Sequence, residues 1–343
     1  MMIYGLMNKL KAKSLLTMKL FRTIIHPEPS QSKIGYQTPV LFMGSCFTEN
    51  IGNKLTELKF PVIVNPLGVM YNPVSVCKGL EILLEQKEFI DSDVSFYNEQ
   101  WFSFYHDTEF SHTDKEKCLS GINDSIKRAS LHLKNAEYLV ITFGTSRVYR
   151  YLKSGNVVSN CHKIPAREFE RFRLEPDEII NTWTELISKL QKFNPKLKII
   201  FTVSPVRHWK DGAVENQLSK STLILAIHQL KEKFKNADYF PAYEIMMDDL
   251  RDYRFYADDM LHPSKMAIDY IWEQFVQTYF EARTIDICKD IEKIILAKNH
   301  RPLNPGTREH KKFCQTRIDY IQDLQAKYPF IDFIKELNFF QSE

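Results

Sequence analysis

The sequence predicts a three-layer α/β/α domain built on a parallel sheet, and three observations predict it. Short apolar runs recur at 40–43, 62–64, 139–143 and 199–203, and none alternates with polar residues as a half-exposed strand would. Helical spacings lie between and after them: Phe47, Ile51, Leu55 and Leu58; Ile179, Trp183, Leu186, Leu190 and Phe193; Leu223, Ile227, Leu230 and Phe234. Each run is followed by a polar loop. Strands alternating with one-faced helices close through right-handed crossovers, which places helices on both sides of a flavodoxin-like parallel sheet.

Two stretches break this rhythm. Residues 94–112 and 147–164 are aromatic and β-branched, with Asn98-Glu99 and Ser154-Gly155-Asn156 as turn signals, and are expected to be small antiparallel insertions. Beyond Phe280 the spacing is helical again, with Ile287, Ile291, Ile294 and Ile295 on one stripe and Cys314, Ile318, Ile321 and Tyr328 on another. A helix-breaking connector, 299–306, separates them. The expected organisation is an N-terminal extension over 1–17, a main domain over 18–280 and a helical appendage over 281–343.

Composition removes several function classes. The 343 residues carry 46 Lys+Arg against 43 Asp+Glu, a net +3 that is too weak a field to favour nucleic acid or an anionic membrane. No apolar run approaches the roughly 18 residues of a membrane span, and Lys9, Lys11 and Lys13 follow an uncharged start, the reverse of a secretory signal. A cytoplasmic protein of bacterial type is expected. The six cysteines include no C-x-x-C pair, which argues against both a zinc ribbon and a disulfide scaffold.

In an open α/β sheet ligands bind beyond the carboxyl ends of the strands, so the residues after each run are the candidates. They are Gly44-Ser45-Cys46, Asn65-Pro66-Leu67-Gly68, Gly144-Thr145-Ser146 and Ser204-Pro205-Val206-Arg207-His208, and they hold three of only eleven glycines. A serine between strand and helix can be a nucleophile facing the N–H groups of the first helical turn. Equally, Ser45 or Thr48 can simply cap that helix. A second constellation is Asp258-Asp259-Met260-Leu261-His262-Pro263-Ser264 before the helix of Ile268, Ile271, Trp272, Phe275 and Tyr279. A carboxylate three residues before a histidine can orient the imidazole, though Asp259 as a helix-start carboxylate and His262 as a loop residue would look the same in isolation.

In combination these segments resemble a known family. Serine after the first strand with D-x-x-H before the last long helix is the layout of SGNH (GDSL-like) hydrolases, and Gly44-Ser45-Cys46-Phe47-Thr48-Glu49-Asn50 resembles the signature of the GSCFA family. The resemblance continues through 65–73, 142–145, 204–208, 216–220, 251–256 and 300–302. It implies Ser45 as nucleophile, His262 as general base and Asp259 as its orienting partner, with an oxyanion hole from the backbone of Ser45 and Gly68 and the Gly144-Thr145 segment. Two positions depart from the pattern. Position 48 is Thr rather than Ala, and the third SGNH block, here Gly144-Thr145-Ser146, lacks the Asn side chain that usually donates to the oxyanion, so that donor must be a hydroxyl, a backbone N–H or absent.

Other residues offer alternatives. Cys46 could be a thiolate nucleophile at a helix N-terminus, but burial is the expected outcome. Arg207 and His208 could grip a substrate anion. Asp248, Asp249, Asp252, Asp258 and Asp259 with His262 could hold a divalent cation, although no tight ligand spacing appears. Lys220 is expected at the surface. The resulting expectation is a serine acyl-ester hydrolase or acyltransferase that needs no cofactor or metal and acts on a small-molecule or carbohydrate ester. A binding protein that keeps the fold without turnover is the alternative, with a metal-dependent hydrolase behind it.

Overall fold

A computed structural model describes residues 22–302 and 304–342, so the extension expected over 1–17 lies outside the described residues. In chain order the elements are β1 (Val40–Gly44), α1 (Cys46–Glu57), β2 (Val62–Val64), α2 (Pro73–Glu85), β3 (Ser95–Tyr97), β4 (Gln100–Phe102), α3 (Lys115–Asn135) and β5 (Tyr138–Phe143). They continue with β6 (Arg147–Tyr151), β7 (Val157–Val158), β8 (Phe169–Arg173), α4 (Pro176–Phe193), β9 (Lys198–Val203), α5 (Gly212–Lys233) and β10 (Ala237–Phe240). The last four helices are α6 (Lys265–Tyr279), α7 (Ala282–Asn299), α8 (Arg308–Lys327) and α9 (Ile334–Ser342).

The central sheet has the order β10-β9-β5-β1-β2, and every pairing in it is parallel. Its strands are mostly apolar on both faces because both faces are covered. Leu41, Met43, Leu139, Ile141, Phe201 and Val203 face one core with Leu80, Ile126, Trp183 and Leu223 from α2 to α5. Val40, Phe42, Tyr138, Val140 and Ile200 face the other, with Phe47, Ile51 and Leu55 of α1 and Ile271 and Phe275 of α6. Three layers follow from that alternation. The helices α7 to α9 join this second core through Ile287, Ile291, Ile321, Leu324 and Phe340, so they extend one hydrophobic cluster rather than form their own. Among the described residues no helix is long and apolar enough to cross a membrane.

The insertions are antiparallel, as the aromatic patterning suggests. β3 and β4 form a hairpin whose turn residues Asn98 and Glu99 both have positive φ. The second insertion is larger than 147–164. Phe169–Arg173 returns as β8 along the whole of β6, making a three-stranded sheet. The sequence Phe-Glu-Arg-Phe-Arg escapes notice because its apolar positions are interrupted by charges that face solvent or pair with other charges. One such pairing, a fork of Arg171 on Asp211, ties β8 to the start of α5.

The hairpin side carries an unusual buried group. His106 is fully buried, packed edge-on against Phe89 and Phe110 at 5.0 and 5.3 Å, and neither ring nitrogen has a hydrogen-bond partner. Burial, with His162 and Lys87 nearby, pushes its pKa down to about 3. The unfolded chain therefore binds this proton and the folded chain does not. Stability is complete above the unfolded value of about 6.5 and is lost as pH falls below it, by about 1.4 kcal/mol per unit. His106→Phe should keep the packing and reduce the loss of stability between pH 7 and 5 by about 2 kcal/mol, measured by denaturant unfolding at the two pH values. An unchanged pH slope would contradict it.

Candidate functional site

The site begins at the end of β1. Gly44 has φ +145°, and a Cβ there would lie 2.2 Å from the Thr142 carbonyl oxygen of the neighbouring strand, so only glycine lets the chain turn there. The Gly44 N–H donates to Asn65 Oδ1 at 2.9 Å and its carbonyl accepts from Met70 N at 2.9 Å, which fastens the turn to the loop after β2. Ser45 follows at the N-cap position of α1. Its hydroxyl makes no capping bond to the first turn, is 1% exposed and has no hydrogen-bond partner. The Thr48 hydroxyl is likewise buried and unpartnered. Capping therefore accounts for neither.

The second half of the site is the loop before α6. Asp259 Oδ1 accepts from the backbone N–H of Leu261 at 2.8 Å and of His262 at 2.9 Å, while its Oδ2 lies 2.5 Å from His262 Nδ1. Those amides and then the imidazole hold the Asp259 carboxyl down at about 2. An ionised carboxylate on Nδ1 selects the tautomer in which Nδ1 donates and Nε2 accepts. Arg207 secures this loop from the end of β9: its N–H bonds the Leu261 carbonyl and its guanidinium the Met260 carbonyl, both at 3.1 Å. The same guanidinium lies 4.0 Å from the Trp209 ring centroid. Arg207 thus orients the loop of His262, with one guanidinium nitrogen engaged there.

The two halves meet at Cys46. His262 Nε2 lies 3.9 Å from Cys46 Sγ, and Cys46 is partly exposed rather than buried as expected. Burial, reinforced by Glu49, raises the Cys46 pKa and keeps the thiol protonated. Behind it, Gly144 carries no side chain where Ser45 and His208 converge. A Cβ on Gly144 would meet Ser45 Cβ at 3.2 Å, His208 Nε2 at 3.3 Å and the Tyr71 carbonyl at 3.1 Å. His208 is fixed by a bond from its N–H to Asn216 Oδ1, and burial, with the Lys220 charge, pushes its pKa down to about 4, so it is neutral.

The backbone donors expected for an oxyanion are already engaged. Ser45 N–H donates to Thr142 O at 3.1 Å, Gly68 N–H to Asn65 O at 2.8 Å, and Gly144 and Thr145 N–H both to Tyr71 O at 2.8 and 2.9 Å. These bonds build the turns, and none of the four N–H groups is free in this arrangement. Lys220 also departs from expectation. It is fully buried rather than at the surface, and its ammonium bonds the carbonyls of Gly144 at 2.6 Å and Ser204 at 2.7 Å. The signal was present, since Asn216, Lys220, Leu223, Ile227 and Leu230 share one helical stripe that the fold buries. The acidic residues do not converge. Asp249 bonds Tyr270 and pairs with Arg22, Asp248 pairs with Arg251 and Asp252 with Arg254. Among the described residues no group of three or more His, Cys, Asp and Glu could hold a metal ion.

The family model described as "GSCFA family" matches residues 39–275, and "GSCFA domain protein, C-terminal domain" matches 291–343. No curated protein matches. Among solved structures the chain is similar to a family 3 carbohydrate esterase of Clostridium thermocellum, at 12% identity over 74% of this chain and 98% of that one, with TM-score 0.33. A family 3 carbohydrate esterase of Talaromyces cellulolyticus matches at 9% identity over 74% and 99%, with TM-score 0.34. An acetyl xylan esterase of the rumen bacterium Butyrivibrio proteoclasticus matches at 12% over 72% and 64%, with TM-score 0.35.

Exposure of the thiols makes the arrangement at Cys46 testable. Iodoacetamide should alkylate Cys46 and the partly exposed Cys161 in the folded protein and spare the buried Cys77, Cys118, Cys288 and Cys314. Because burial holds both reactive thiols protonated, their rates should rise steeply from pH 7 to about 9, following the thiolate fraction. Peptide mapping by mass spectrometry reads both. Fast Cys46 labelling at pH 6 would mean that His262 had already taken its proton.

Proposed function

The chain belongs to the GSCFA family, and from that premise we propose that it is a serine-type acyl-ester hydrolase or acyltransferase acting in the cytoplasm. The observation that carries the reading is the Asp259–His262 pair, whose acceptor nitrogen Nε2 opens beside the Ser45-Cys46 step at the end of β1. Ser45 is the nucleophile. Its hydroxyl is neither a cap nor part of a network, which leaves it unengaged at the end of β1.

In this reaction Ser45 turns towards His262, the Oγ–H proton passes to Nε2, and Oγ bonds the ester carbonyl carbon as the carbonyl π pair moves onto oxygen. Collapse of that intermediate breaks the bond to the alcohol, which takes the proton from His262. Water, or an acceptor hydroxyl in the transferase case, then attacks the acyl-serine by the same route. Asp259 stays ionised and stabilises the imidazolium. An O-acylated carbohydrate is the proposed substrate class, supported by Tyr71 and Trp209, which are 39% and 44% exposed and flank His208 and Arg207.

A second reading rests on one observation, that the His262 contact is to Cys46 Sγ and not to Ser45. A thiol nucleophile would form a thioester at position 46. Against it stands the raised thiol pKa, which leaves little thiolate at neutral pH.

Active-site labelling separates the two. A fluorophosphonate probe should modify Ser45 alone, and only in the folded protein. Ser45→Ala and His262→Ala should each lower turnover of an acetyl ester by about a thousandfold or more, with Asp259→Asn losing less than His262→Ala. Cys46→Ala should keep labelling and turnover. Labelling that survives Ser45→Ala and disappears in Cys46→Ala would replace serine by the thiol. Folded wild type that neither labels nor turns over any ester would favour a protein that binds through this fold without catalysis.

A further inference from the structure

Lys220 is a buried cation that the reaction as drawn does not use. It projects from α5 into the carboxyl end of the sheet, where its Nζ bonds the last carbonyls of two adjacent strand ends, Gly144 after β5 and Ser204 after β9. Among the described residues no carboxylate forms an ion pair with it. Taking an ammonium out of water without a counter-charge costs several kcal/mol, and two carbonyl dipoles offset only part of that. A methionine there would pack without the penalty.

What the two bonds join is the site itself. Gly144 is the wall on which Ser45 and His208 rest, and its N–H and that of Thr145 hold the Tyr71 carbonyl. Ser204 begins the segment whose Arg207 fastens the Met260 and Leu261 carbonyls and so the loop of His262. One ammonium therefore links the nucleophile side to the base side. It also sets a positive charge beneath a site whose third block lacks an Asn donor and whose four expected N–H donors are engaged.

We propose that Lys220 is a positioning residue for ester turnover: it locks the Gly144 wall against the Ser204–His208 arm and biases the field at Ser45 towards the negative charge that develops on the ester oxygen. The inference rests on the esterase reading above. The charge acts only while Lys220 is protonated, and burial lowers its pKa to about 7. The titratable groups facing it are Cys46 from α1, His208 from the segment after β9 and Tyr243, whose ring centroid lies 5.7 Å away. Of these only Cys46 favours the charged form of Lys220, and burial outweighs it.

The expected kcat/KM of wild type then falls on the alkaline side as Lys220 loses its proton. Lys220→Met keeps the stem and should fold, since replacing a buried charge by an apolar chain is often neutral or stabilising. It should lower kcat by about tenfold or more with KM within about twofold, and abolish the alkaline limb. Thermal unfolding at each pH separates this from loss of fold. The wild-type protein with 13C-labelled lysines supplies a second readout: one ε-carbon should titrate near pH 7, well below the rest. A Lys220→Met variant that matches active wild type at every pH, or a wild type in which no lysine titrates below about 9, would overturn the proposal. Wild type that neither turns over esters nor takes the phosphonate would instead sink the esterase reading, and this role with it.

Discussion

The turn at Gly44 is the constraint on which the rest of the site depends. In a parallel sheet of order β10-β9-β5-β1-β2 the chain moves outward on one side from β1 to β2 and on the other from β5 onward, so a crevice opens between the ends of β1 and β5. To enter α1 at that point the backbone passes against the Thr142 carbonyl, closer than any side chain would allow. Ser45 and Cys46 are consequently delivered to the crevice by two rigid elements rather than by a flexible loop. The Gly144 wall, the Asn65–Gly68 turn and the Tyr71 carbonyl are then fixed around them by backbone hydrogen bonds.

That rigidity has a chemical consequence. The amides that would serve an oxyanion are consumed in building the turns, and the side chains nearest the step are a protonated thiol, a neutral imidazole and a buried ammonium. The imidazole of His262 is arranged differently. Asp259 and His262 sit on an exposed loop, with side chains 45% and 49% exposed, and depend for their orientation on three bonds within the loop and two from Arg207. A fixed Ser45-Cys46 step facing a tethered but solvent-open imidazole is an arrangement in which small shifts of the loop decide whether Nε2 meets sulfur or oxygen.

The sequence by itself determined the fold and singled out two candidate loops. Unbroken apolar runs of 40–43, 139–143 and 199–203 require cover on both faces, which leaves a three-layer architecture, and local spacing places Gly44-Ser45 at a strand end and Asp259-x-x-His262 before a helix start. What it left out were relations between segments far apart in the chain. That Lys220 is interior rather than solvated, that Arg207 bonds the Met260 carbonyl, that β8 returns along β6, and that His262 faces Cys46 all depend on which surfaces come to lie together. Periodicity assigns a residue to a face of its own helix or strand. Only the packed structure decides what that face meets, because burial, a hydrogen-bond partner and a shifted pKa are properties of the neighbours and not of the residue.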